Sequence, residues 1–402
     1  LPAKTKFDCL LTYGWVRSTY AALVNLGQKG LNVAIGDCTR IGMSQFSRYS
    51  KKVFKYTSFL ADKSRFLNNI CDILDTAKPT LYLPSHDETE LISEHLHIFP
   101  SQTLIPIPSI KLLQIANNKS ESQEFADKIG LPTATRINYE LPEQLLDLID
   151  ASRKMVIRTL KGNSAKGVYY ASGPEHVYQT VKSVIENYQC TKERYPVVQE
   201  YVCGEGWGVS CLYWEGKRIA HFTHRRLREK TATGGTSTLR EHQPNPLLEN
   251  MAFQLLDKLG WHGLAMVEFK YDPIENKGYF IEINPRLWGS IHLAISAGVE
   301  FPYLIYLCAT KGPESALSYF SKCKIRFPWR SRWYLGDCII AANKILHLKF
   351  QDFATCLLPG NTDTYDDLCL SDPLPFLGEI LYYGTNFIRH RSTNPIQDGM
   401  IG

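Results

Sequence analysis

A carboxylate, an amide and a guanidinium lie within five residues of one another in the stretch GYFIEINPRLWGS (Gly278 to Ser290). Ile281 and Ile283 alternate there with Glu282 and Asn284. Side chains on a strand change face at every residue, so the two polar groups share a face and point two hard oxygen donors into one space. Pro285 ends the ladder because it has no N–H to give, and this leaves Arg286 at the mouth of the space. Such a set suits a metal ion beside a phosphate.

Three other stretches could take part in anion chemistry. Lys161, Gly162, Asn163, Ser164, Ala165, Lys166 and Gly167 combine small residues, which let backbone amides approach an anion, with two compensating ammonium groups. A solvated hairpin tip has the same composition. In PVVQEYVCGEGWG (Pro196 to Gly208), a strand breaking at Glu200, Tyr201 and Val202 could offer main-chain groups to a flat heterocycle, or could simply be bulged. Four arginines between His221 and Glu241, with Gly234-Gly235 among them, form either a charged surface or a phosphate clamp. Other chemistries lack their residues. The chain has no GxSxG, no Walker A spacing, no GxGxxG after its first strand and no Cys/His ligand spacing.

Composition bounds what positions these groups. With 402 residues, 44% hydrophobic and 21% charged, the chain is globular and long enough for two or three domains. A net charge of +5, without a long Lys/Arg block, argues against wholesale nucleic-acid binding. Eleven cysteines without a CxxC pair read as reduced thiols of a cytoplasmic protein. No apolar stretch reaches the roughly 20 residues that cross a bilayer. LPAKTKF at the start lacks the core of a secretion signal, and the missing initiator Met leaves room for a trimmed start.

Phe7 to Tyr13, Ser18 to Leu26 and LNVAIGD read as strand, helix and strand, which starts an open parallel α/β sheet. Lys63 to Thr76 looks helical, and Thr80 to Glu88 is a strand ending in Ser85, His86 and Asp87. These are candidates for substrate contact at a carboxyl edge, or a loop capping a helix at Glu88. Helices are expected at Lys119 to Ile129 and Leu141 to Ala151, and a hairpin at KMVIRTLKGNSAKGVYYA. Arg326 to Asp337 mixes aromatics with arginines, Cys338 to Phe350 is partly amphipathic, and Asp372 to Phe387 is a short helix entered through proline. A helical extension packed on the core is the plain reading of this end, and contact with an anionic membrane the alternative.

Taken in order, Lys119, the basic strand and loop, QEYV, RRLRE with TGG, VEF and IEINPR resemble the ATP-grasp superfamily, and within it the carboxylate–amine ligase branch. The resemblance spans roughly residues 111 to 310 and fades after Gly312. It implies an N-terminal open parallel α/β domain (1–110), a two-subdomain ATP-grasp fold (111–190 and 191–312) and a mostly helical C-terminal extension (313–402). It further implies that Lys119, Arg158, Lys161 and Lys166 contact ATP phosphates, with arginine at position 158 where the family most often has lysine. Glu200, Tyr201 and Val202 become the adenine hinge and Glu205 the ribose contact. Glu268, Glu282 and Asn284 match ligands of Mg²⁺, with Mn²⁺ admissible. Oxygen donors shared with nucleotide phosphates are what that ion prefers, and a strand bearing Glu268 beside Ile281 to Asn284 would complete the set. Two salt-bridged carboxylates on a sheet face are the alternative. Arg286, Arg226 and Arg225 would stabilise a moving phosphoryl group.

The activity implied is ATP-dependent joining of a small-molecule carboxylate to an amine through an acyl phosphate. An ATP-grasp phosphotransferase and a nucleotide-binding regulatory module without turnover are the competing readings. The partners expected are small molecules rather than nucleic acid, and a homodimer is compatible with the reading.

Overall fold

The computed structural model describes residues 7–160, 167–231, 234–346 and 361–391. Its first sheet is parallel. Strands β1 (Cys9–Leu11), β2 (Val33–Asp37), β3 (Ser50–Lys55) and β4 (Leu81–Leu83) lie in the order β3-β2-β1-β4. β1, β2 and β4 are buried along their whole length, as continuous apolar runs are when helices cover both faces of a sheet. Helices Arg17–Gln28 and Lys63–Ala77 make the crossovers. Asp62 caps the second by accepting the Arg65 N–H.

A small antiparallel sheet follows. β5 (Arg136–Ile137), β6 (Lys154–Arg158), β7 (Val168–Ser172) and β8 (Val197–Glu200) are ordered β5-β8-β6-β7. β6 and β7 are the arms of the expected hairpin. Its tip, with Lys161 and Lys166, lies outside the described residues. The helix expected over Leu141 to Ala151 is shorter, with a 3₁₀ turn at Pro142–Gln144 leading into one helical turn at Leu145–Leu148. Of its apolar positions only Leu145 and Ile149 are buried, while Leu141, Leu146 and Leu148 face solvent. So little burial does not sustain a longer helix.

The third sheet has seven strands, β9 (Glu205–Trp214), β10 (Lys217–Thr231), β11 (Gly234–His242), β12 (Gly263–Asp272), β13 (Lys277–Asn284), β14 (Trp329–Arg332) and β15 (Thr364–Tyr365). Their order is β13-β12-β9-β10-β11-β14-β15, antiparallel except for the last pair. The C-terminal region is thus helical at Tyr334–Leu346 and Leu374–His390 but also lends the last two strands to one side of this sheet. The aromatic-basic stretch is exposed at Arg326 to Pro328 and internal from Ser331 to Trp333. Trp333 is fully buried, with its indole N–H donated to Glu379, and Arg332 is bonded to Asp337.

Among the described residues ten cysteines are free thiols and no single helix is long and apolar enough to cross a membrane. The bent pair Ile291–Ala297 and Phe301–Lys311 belongs to the core, packed with β1, β2 and the helix Arg17–Gln28.

Glu88 is wholly buried behind β4 and has no cationic partner among the described residues. One carboxyl oxygen accepts the Thr12 hydroxyl (2.7 Å) and the Ser85 N–H (3.0 Å), and the other has no partner. Burial pushes its pKa from 4.5 up to about 7. The folded chain therefore holds this proton where the unfolded chain has released it. The contribution to stability is full below pH 4.5 and is lost as pH rises to about 7, by roughly 3 kcal/mol. Glu88→Gln cannot ionise. In urea unfolding it should lose roughly 3 kcal/mol less than the native chain between about pH 5 and pH 8, and an equal loss would refute the assignment.

Candidate active site

The carboxylates of β12 and β13 meet as the alternation requires. Glu268 is directly opposite Glu282 and Met266 opposite Asn284. The Asn284 amide donates to Glu268 (3.0 Å) and to Glu282 (3.4 Å), so the three side chains form one cluster. Like charges opposite each other on a sheet repel, and cations answer them here. Arg226 sits 2.6 Å from Glu268, and Arg158 donates to Glu282 at 3.1 Å. Burial raises both carboxyls, with different outcomes. For Glu268 burial outweighs Arg226 and the net direction is up, whereas for Glu282 Lys119 and Arg158 outweigh burial and the net direction is down. Lys119 opens the helix Lys119–Lys128, which Asn118 caps. Burial pulls its pKa down to about 8, Glu282 opposes this and Arg158 adds to it.

This cluster lies in a cavity of about 360 Å³ between the small sheet and the seven-stranded one. Seven cationic side chains line it, Lys119, Lys154, Arg158, Arg226, Arg240, Lys270 and Arg286, against the carboxylates of Glu229, Glu268 and Glu282. Asp87 takes up Arg286 (2.9 Å) and Asp366 takes up Arg240, yet cations remain in excess. A polyanion is what restores the balance.

Part of the cavity wall is aromatic and apolar. Tyr170, Tyr201, Val156, Val168, Val202 and Phe269 line it, and the Lys154 ammonium stands 4.0 Å over the Tyr201 ring. Glu200 donates its N–H to Thr135 and Tyr201 to Lys154, both at 2.9 Å. Among the described residues no hydrogen bond takes the Val202 N–H. The chain then turns at Gly204 with φ 139°, where a Cβ would come within 2.6 Å of the Tyr271 carbonyl oxygen.

Of the expected site residues, Lys119, Arg158, Tyr201, Val202, Arg226, Glu268, Glu282, Asn284 and Arg286 line the cavity, and three others do not. The Glu200 side chain is turned away and held by Arg153. Glu205 is half exposed, accepting from Trp207 (3.2 Å) with Arg225 at 4.0 Å. Arg225 donates to Glu241 (2.5 Å), which also accepts from Arg330 (2.7 Å). The physical reason is the period of two. Consecutive residues of β10 face opposite ways, so Arg226 pairs with Arg240 of β11 on the cavity side while Arg225 pairs with Glu241 on the other.

Ser85, His86 and Asp87 do not line the cavity either. The loop is pinned by Glu88 and by His86 stacked on Tyr13 (5.0 Å), and through Asp87 it orients Arg286.

Lys154, Tyr170, Glu229, Trp288 and Ser290 line the cavity without having been singled out in the sequence, and Arg240, counted there only among the four arginines of a charged surface or phosphate clamp, lines it too. For Arg240 the available signal was its even spacing from Thr236 and Thr238 in an extended run. Arg240 is fully buried and donates to the Ser237 carbonyl (2.8 Å). Beside it, burial, Arg226 and Arg240 push the His224 pKa well down, and its ring meets the Ser290 hydroxyl at 3.1 Å.

The three sheets and the cavity between the last two define an ATP-grasp fold. The family described as "ATP-grasp in the biosynthetic pathway with Ter operon" matches residues 192–326. Biotin carboxylase from Campylobacter jejuni, solved in complex with βγ-ATP, superposes with a TM-score of 0.62 at 14% identity, over 81% of this chain and 74% of that one. An L-amino acid ligase from Bacillus licheniformis superposes with a TM-score of 0.59 at 14% identity, over 77% of each. The trifunctional purine biosynthetic protein adenosine-3 of Gallus gallus is 26% identical over 147 residues, 35% of this chain but only 14% of that protein's length. The chain is thus an ATP-grasp protein by fold.

Arg226→Met leaves Glu268 and Glu229 without their partner and should cost roughly 3–5 kcal/mol in urea unfolding. Arg225→Met leaves Glu241 with Arg330 and should cost less than about 1 kcal/mol. Equal losses would contradict the division of the two faces.

Proposed function

We propose that the protein is an ATP-dependent ligase that joins a carboxylate to an amine or amino acid, releasing ADP and phosphate. The observation that carries this reading is the cluster of Glu268, Glu282 and Asn284 inside a cavity that combines surplus cations with aromatic and apolar walls. Purine and triphosphate require those two environments side by side.

In this reading the adenine lies between Tyr201, Val202 and Phe269, with the free Val202 N–H donating to its ring. Lys119 and Arg158 receive the phosphates, and Arg158 does so with a planar fork where lysine would supply a point charge. Among the described residues no cluster of three or more His, Cys, Asp or Glu side chains could hold a metal. Two carboxylates and an amide oxygen nevertheless fit Mg²⁺, which keeps water and shares its shell with phosphate oxygens. Glu268, Glu282 and Asn284 would hold it, and its charge would offset that of the phosphates. The hairpin tip with Lys161 and Lys166 is assigned to the phosphates by resemblance alone.

The substrate carboxylate attacks the γ-phosphorus, ADP leaves with the bridging oxygen, and the acyl phosphate forms. An amine then attacks the acyl carbon, phosphate departs and the amine gives up a proton. This reading needs no protein nucleophile. Arg226 and Arg286 position and neutralise the transferring group, with Arg286 oriented by Asp87.

ADP release should require both acceptors together, and pairs of amino acids and small acids screened by a coupled assay test this. A stable phosphorylated product would instead mark a phosphotransferase. Glu282→Gln should lower turnover at least about a hundredfold, and unchanged turnover would overturn the metal assignment. Because the Lys119 pKa is drawn down to about 8, ATP affinity should hold steady below pH 7 and fall as pH rises through 8. In calorimetric titration Lys119→Arg, charged throughout, should remove that fall.

A further inference from the structure

The C-terminal helix Leu374–His390 turns one face to the protein and the other to solvent. Its rear face buries Pro375, Gly378, Glu379, Tyr382 and Asn386. Its outer face carries Leu374, Leu377, Ile380, Leu381, Phe387 and Ile388, each 40–71% exposed. At about 100° per residue these six occupy an uninterrupted arc of about 140°, shared only with Gly384. Soluble surfaces rarely expose such a continuous apolar strip without a use for it.

Charge around the strip is one-sided. Between Leu370 and Arg391 the acids are Asp372 and Glu379, and both are buried. Asp372 accepts the Ser47 hydroxyl and the Arg48 N–H, while Glu379 accepts the Trp333 indole N–H and lies 3.7 Å from Arg17. The cations are exposed. Arg389 and Arg391 close one end of the helix. In its first third, on the rear face, Gly378 packs close to Phe46 and the Gly42 carbonyl, in a loop whose Arg40 and Arg48 are exposed.

We propose that this face docks the protein on an anionic lipid bilayer, with the helix lying in the plane of the interface. Six large apolar side chains enter the acyl boundary, and the arginines meet the headgroups. Charge complementarity selects this occupant. A second copy of the chain would bring the same sign of charge to the seam and no exposed acid from this helix to meet it. The helix does not span, since its rear face is packed against the protein and holds a buried carboxylate.

Flotation of the whole chain with vesicles of phosphatidylcholine, with or without about 30% phosphatidylserine, tests this. Binding should be on the order of tenfold stronger to the anionic vesicles and should weaken with salt. The triple variant Leu377→Glu, Leu381→Glu, Ile388→Glu should lose it, while its ADP release without vesicles stays at the native level. Arg389→Glu with Arg391→Glu, which keeps the apolar face, should lose the preference for anionic lipid. Failure of the native chain to float with anionic vesicles, or undiminished binding by the triple variant, would overturn the proposal. So would a native chain that binds no vesicles and is dimeric by light scattering where the triple variant is monomeric, because a second copy would then cover the face.

Discussion

Two carboxylates face each other across one antiparallel strand pair, and much of the cavity is built around the repulsion between them. Glu268 and Glu282 are both largely shielded from water, where an unbalanced charge is costly. Arg226, Arg158 and Lys119 come from three other elements to balance them, and Asn284 bridges the pair. A site wired in this way holds more positive charge than its own carboxylates consume. It is preorganised for an anion before any ligand arrives.

The cations must in turn be held, and the outer parts of the chain do this. The N-terminal domain sends Asp87 to Arg286 from a loop anchored on the buried Glu88. The C-terminal segment sends Asp366, which binds Arg240 on the cavity side of β11, Arg17 of the first helix (2.9 Å) and the Ser331 hydroxyl (2.5 Å). Arg17 also stacks on Trp333 at 3.7 Å. Asp366 thereby ties three regions at one buried point, and its pKa is held down to about 2: burial would raise it, but Arg240 and Arg17 outweigh that. Removing the C-terminal segment would leave Arg240 buried and uncompensated, so this segment belongs to the site as much as to the surface.

Local periodicity made part of the site legible. Glu282 and Asn284 alternate with isoleucines, and Glu268 with its neighbours in VEF, so their common face follows from strand geometry. The same rule separates Arg225 from Arg226. Treating the two as one unit placed both in the site, whereas the pleat turns only Arg226 to the cavity. The strand break at Glu200 to Val202 was readable, but which of its three amides has no partner among the described residues depends on Thr135 and Lys154. The helix expected at Leu141 to Ala151 shortened because only Leu145 and Ile149 of its apolar positions are covered.

By itself the sequence determined what depends on neighbours a few residues apart: the parallel order at the start, the hairpin, the alternating strands and the oxygen donors they display. Tertiary structure alone decided the pairings that set charge in the cavity. Arg286 meets Asp87 across 199 positions and Arg240 meets Asp366 across 126. Such partners leave no periodic trace, because a salt bridge requires only that two groups arrive at the same place. Where they arrive is set by how the sheets and the C-terminal segment pack, not by any spacing along the chain.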